Sequence, residues 1–144
     1  MVEFAANGVE FLVVSAHALA VHGVARATGD FDLFVRPTRP NAERVLAALR
    51  AFGAPVDAHG LSVDLRAQGD MVYQIGLPPR RIDLLTSISG CGFDDIWPRR
   101  VNASVAGLSV PVIGRADLIT NKRASHRDKD LLDLALLAES QTAD

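Results

Sequence analysis

Apolar residues first gather in the run Phe11-Leu12-Val13-Val14, bounded upstream by Asn7-Gly8. A run that short between turn signals reads as a buried strand over about 10–15. Residues 1–8 before it form a short helix or frayed turn. A helix follows over about 16–22 and ends at Gly23, which suits the left-handed residue of a helix C-terminus. Phe31, Leu33 and Val35 then alternate with Asp30 and Asp32, the period-two signature of a strand, over about 30–36 until Pro37 stops it. The next element is the clearest helix. Thr38 is its N-cap, Pro40 falls in its first turn and Gly53 ends it. Ala42, Val45, Leu46, Leu49 and Phe52 recur at helical spacing and predict the face that packs on a sheet, while Glu43, Arg44 and Arg50 face solvent.

The second half is read less sharply. Leu61, Val63 and Leu65 alternate as in a strand, yet a short helix also fits residues 54–70, and the pattern leaves both open. Met71–Gly76 and Arg80–Thr86 read as two strands joined around Pro78-Pro79, and Gly92–Pro98 as a helical turn anchored by Phe93 and Trp97. Val101–Ala106 and Leu108–Ile113 form a hairpin turning near Gly107, and Arg115–Ala124 is helical. Ser125-His126-Arg127-Asp128 matches a capping box, with Asp for the usual Glu, before a leucine-rich final helix. The order of elements predicts a single α/β (α+β) domain over residues 1–144, with a mixed sheet and helices packed mainly on one face.

Composition narrows the function classes. At 144 residues, 49% of them apolar, the chain is large enough for one real core and too apolar for disorder. A net charge of −2 argues against nonspecific electrostatic binding to nucleic acid, which needs a basic face. The N-terminus lacks the basic start of a signal peptide, and the apolar run from Phe11 to Ala25 is interrupted by His17 and His22 and is too short to span a bilayer. A cytoplasmic protein with no membrane association is expected. The single cysteine, Cys91, reads as a small residue in the Gly90-Cys91-Gly92 turn rather than as a nucleophile.

The candidate chemistry lies in the acids. In a strand, Asp30 and Asp32 point to the same face with their Cα atoms roughly 6.6 Å apart. That spacing lets two carboxylates converge on a pair of divalent metals ~3.5–4 Å apart. The strand–turn–helix before them is the kind of element that presents backbone N–H groups to a phosphate. A third acid, Asp83, lies in the apolar strand Arg81-Ile82-Asp83-Leu84-Leu85, where a charge is costly unless paired or metal-bound. His17 and His22 are five residues apart, a poor spacing for zinc on one helical face; they read as hydrogen-bonding groups around the turn, with His17 approaching a bound phosphate.

These stretches resemble the nucleotidyltransferase superfamily typified by DNA polymerase beta, and more narrowly the small bacterial proteins related to AbiE-type toxins. The matching segments are Val14-Ser15-Ala16-His17-Ala18-Leu19, His22-Gly23, Arg26 through Asp32, Arg81 through Leu85, and Asn121-Lys122-Arg123 through Lys129-Asp130 and Asp133. The resemblance implies a nucleotidyltransferase fold that moves a nucleoside monophosphate from a nucleoside triphosphate (NTP) to an acceptor hydroxyl on RNA such as tRNA, on a protein or on a small molecule. It implies two Mg²⁺ (or Mn²⁺) ions on Asp30, Asp32 and Asp83. It further implies phosphate contacts from Ser15, Ala16, Arg26 and Lys122, and supporting roles for His17, Asp130 and Asp133. Toxin or antitoxin partners and a homodimer belong to the same set of expectations. Ser15 departs from the pattern, standing where the family has its first Gly, with Ala16 in place of the second Gly or Ser. Glycine there lets the backbone approach phosphate and adopt positive φ. The alternative is a catalytically weak module of the same fold that binds a nucleotide or a partner.

Overall fold

A computed structural model describes residues 2–25, 30–64, 70–76, 81–105 and 107–142. The element order is α1 (Val2–Ala6), β1 (Phe11–Val14), α2 (Ser15–Val21), β2 (Phe31–Val35), α3 (Arg39–Phe52), β3 (Met71–Ile75), β4 (Ile82–Leu85), α4 (Phe93–Ile96) with a 3-10 turn at Trp97–Arg99, β5 (Val101–Val105), β6 (Leu108–Val112), α5 (Arg115–Ser125) and α6 (Asp128–Thr142). The strands form one six-stranded mixed sheet in the order β3-β4-β2-β1-β6-β5. β1 pairs antiparallel with β2 and parallel with β6, and β2 pairs parallel with β4. β1 and β2 are therefore central. All four β1 residues are buried, as expected of a strand covered on both faces.

Helical elements meet both faces of that sheet, not chiefly one. Leu33 and Ile82 lie under α1 and α3, where a small apolar crevice is closed by Phe4, Ala48 and Leu49. Phe34, the next residue along β2 and so on the opposite face, meets Phe93 of α4 edge-on with ring centroids 5.1 Å apart. The α3 helix starts after Thr38 as the sequence predicts, although the Thr38 hydroxyl makes no capping bond, and it ends on Gly53 at φ 91°. Ala42, Val45, Leu46 and Leu49 are buried, but Phe52 is 60% exposed. As the last residue of the helix it sits at the rim of the apolar crevice instead of entering it. Asn41, unremarkable in the sequence, is buried because its amide donates to the carbonyls of Glu10 and Arg36 and accepts from the Glu10 N–H.

Residues 54–64 form successive turns, neither the strand nor the helix left open for this stretch; Leu65 lies outside the described residues. Val56 and Leu61 still reach the core. The C-terminal cap also differs from expectation. Ser125 turns back to the Asn121 and Lys122 carbonyls, and two residues later Asp130 accepts the Arg127 N–H at 3.0 Å, the returning half of a box whose other half an Arg side chain cannot make. The start of α6 likewise buries acids in place of leucines. Leu131 and Leu132 are 46% and 55% exposed, whereas Asp130 and Asp133 are buried at 0% and 2%. Their partner decides this: Lys122 of α5 lies between them.

Candidate active site

The register of three strands builds the site. Val14, the last residue of β1, pairs with Asp32, and Asp32 pairs with Asp83 on the parallel strand β4. In-register neighbours share a face, so the two carboxylates stand side by side, with Ser15 immediately beyond β1. They open on a cleft of about 430 Å³ that Ser15, Ala16, Asp30, Asp32, Arg81, Asp83, Lys122 and Asp133 all line. Residues from four separated parts of the chain meet there.

Ser15 turns the chain from β1 into α2 at φ 61°, in the left-handed region where glycine is preferred. Its hydroxyl hydrogen-bonds the Asp32 carboxylate. Burial, reinforced by the adjacent Asp83 charge, raises the Asp32 pKa above the usual carboxylate range, and the Ser15 bond only partly offsets this. Asp30 precedes β2 instead of opening it, and its Oδ1 accepts the Arg81 N–H at 2.8 Å. Asp83 is 7% exposed and is held by the Arg81 guanidinium, with Nη2 3.1 Å from Oδ2 and Nε 2.8 Å from Oδ1. The second contact is an ion pair without hydrogen-bond alignment.

Lys122 reaches the same cleft from α5 and is almost wholly buried. Its Nζ lies 3.2 Å from Asp130 Oδ1 and 3.2 Å from Asp133 Oδ2. Burial lowers its pKa, and Asp130 opposes that shift. Burial also pushes Asp130 upward, but Arg127 through its side chain and its N–H, with Ser125 and Lys122, outweighs the push and holds Asp130 below the ordinary carboxylate range. Asp130 and Asp133 thus both pair with Lys122 and tie α6 to α5. His17 does not line the cleft. Its ring stacks on Phe31 at 3.8 Å and bonds the Asp30 backbone, steadying the start of β2; burial lowers its pKa, partly offset by Asp30 and Asp32. His22 instead contacts the Ile113 carbonyl at 2.8 Å, so the two histidines share no ligand. Arg26 falls outside the described residues. The Cys91 thiol, raised by burial and by Asp117, donates to the Asp117 carbonyl, a packed and unreactive setting.

Three cations of this cleft, Arg81, Arg127 and Lys129, carried no separate phosphate role in the sequence reading. Arg81 had a legible signal, standing two residues before Asp83 on one strand face. Arg127 had a weaker one, three residues before Asp130 at a helix start.

The donors suit a hard divalent cation. They are carboxylate oxygens, and two of them press together where an uncompensated pair of charges is costly. Among the described residues no group of three such side chains is arranged to hold a metal. The fit is therefore to the Asp32–Asp83 pair, with the remaining positions left to water and phosphate, the coordination Mg²⁺ favours. No protein-family model matches the chain, and no curated protein is detectably similar to it in sequence. No helix among the described residues is long and apolar enough to cross a membrane.

Proposed function

We propose that the chain is a nucleotidyltransferase of the DNA polymerase beta type, moving a nucleoside monophosphate from an NTP to an acceptor hydroxyl with Mg²⁺ or Mn²⁺. The observation that carries the reading is the in-register pair Asp32–Asp83 beside the left-handed turn at Ser15. Charge supports it. Among the described residues the cleft is lined by four acids (Asp30, Asp32, Asp83, Asp133) and four basic residues (Arg81, Lys122, Arg127, Lys129), a balance that a bound triphosphate would upset unless cations accompanied it. Asp32 and Asp83 would hold the divalent cation, which when bound would neutralise phosphate charge and activate the attacking oxygen. Ser15 and the first amides of α2 face the phosphates, while Lys122, fixed by Asp130 and Asp133, supplies positive charge that need not reorganise.

The test supplies each labelled NTP with Mg²⁺ or Mn²⁺ to the protein together with tRNA or total cell protein. Label should transfer to one acceptor class, and Asp32→Asn or Asp83→Asn should lower the rate at least roughly a hundredfold while leaving the fold intact. Absence of transfer from all four NTPs, or wild-type rates in either variant, refutes the proposal.

The Cβ of Ser15 at the turn and the Arg81–Asp83 pair favour a second reading, a module that binds a nucleotide or a toxin or antitoxin partner with little turnover. NTP binding without transfer, with a large gain of turnover in Ser15→Gly, supports it.

A further inference from the structure

Arg81 touches two of the three acids with two different parts of itself. Its N–H donates to Asp30, and its carbonyl accepts the Phe31 N–H at 2.8 Å, so its backbone is fixed against the start of β2. The side chain is not fixed in the same way. It is 32% exposed, lines the cleft, and meets Asp83 through one aligned hydrogen bond and one unaligned contact in place of a bidentate fork. A nearly buried carboxylate beside a second carboxylate needs a cation, and among the described residues Arg81 is the one seen to supply it. Lys122 is committed to Asp130 and Asp133, and Arg127 to Asp130.

We propose that Arg81 is the resident counter-cation of the Asp32–Asp83 pair, leaving Asp83 when a divalent cation takes those oxygens and turning to anionic phosphate oxygens in the same cleft. This rests on the metal-dependent reading above. The guanidinium and the ion compete for the same Asp83 oxygens, so cation binding without nucleotide costs the Arg81–Asp83 pair and gains nothing for the displaced side chain. A polyphosphate gives that side chain a new partner. By linkage, Arg81 then makes cation and polyphosphate strengthen one another's binding. As a positioning residue it would bias the site against holding metal when no nucleotide is present.

The experiment measures Mn²⁺ alone binding to the full chain, by the electron spin resonance of free Mn²⁺, for wild type, Arg81→Gln, Arg81→Lys and Asp32→Asn. Arg81→Gln should bind Mn²⁺ roughly fivefold more tightly than wild type, the effect of removing a partly exposed competing ion pair. Arg81→Lys, which keeps the charge without the fork, should fall between them, and it carries the test if Arg81→Gln does not fold. A merely structural Arg81 would lower Tm and leave Mn²⁺ affinity unchanged or weakened. That result, with wild-type Mn²⁺ binding lost in Asp32→Asn, overturns this proposal and spares the metal-dependent reading. No Asp32-dependent Mn²⁺ binding in wild type or in the Arg81 variants overturns both.

Discussion

Substitution at residue 15 separates backbone strain from side-chain chemistry. Ser15 holds φ 61°, which for an L residue costs about 1–2 kcal/mol relative to glycine. Its hydroxyl bond to Asp32, a partly buried carboxylate, offsets about 1 kcal/mol of that. Ser15→Ala keeps the strained Cβ and loses the bond, so it should be less stable than wild type by about 1 kcal/mol. Ser15→Gly loses the same bond but relieves the strain, against about 0.5–1 kcal/mol for the extra freedom of glycine in the unfolded chain. Gly should therefore exceed Ala by about 0.5–1 kcal/mol, or about 2 °C in Tm for a chain of this size. In an ordinary right-handed helical residue the order is reversed, since glycine there costs up to about 1 kcal/mol relative to alanine. The sign is thus diagnostic. Urea unfolding of the three proteins at pH 7 measures it, and an Ala variant as stable as the Gly variant refutes the left-handed turn. Both variants should also raise the Asp32 pKa further, readable in a carboxyl NMR titration, because both remove the hydroxyl that opposes its rise.

Two further predictions concern the α5–α6 junction. Lys122→Met leaves Asp133 and Asp130 buried without their ammonium partner and should cost about 3–5 kcal/mol in urea unfolding, with much of it recovered by adding Asp133→Leu; a loss under about 1 kcal/mol would show that the triad is not closed as described. Because Asp130 is held below the usual carboxylate range in the folded state, its contribution is complete above the unfolded value near ~4 and is lost as pH falls beneath it. Urea midpoints from about pH 7 to about 2.5 should fall more steeply below about pH 4 in wild type than in Asp130→Asn, and equal slopes would contradict the assignment.

Most of the secondary structure was legible because its signals are local. Alternation at Phe31–Val35, the short run at Phe11–Val14, Pro37 and Gly53 each act within a few residues of themselves, so no distant partner can override them cheaply. The final capping box was misread for the complementary reason. Ser125 is the better local start, and Arg127 displaces it because the buried network that holds Asp130 also takes the Arg127 N–H. Phe52 failed similarly, since helical spacing says which face a residue occupies but not whether the neighbouring layer extends that far.

What the sequence alone determined was the list of elements and the suspicion that Asp30, Asp32 and Asp83 belong together. Only the tertiary structure decided that Asp32 and Asp83 are register partners and that Arg81 already sits on Asp83. It also decided that the start of α6 buries Asp130 and Asp133 and exposes Leu131 and Leu132. Propensity and periodicity are properties of neighbouring residues. Register, and the pairing of buried charges, depend on which separate segments come to lie side by side, and no local pattern encodes that choice.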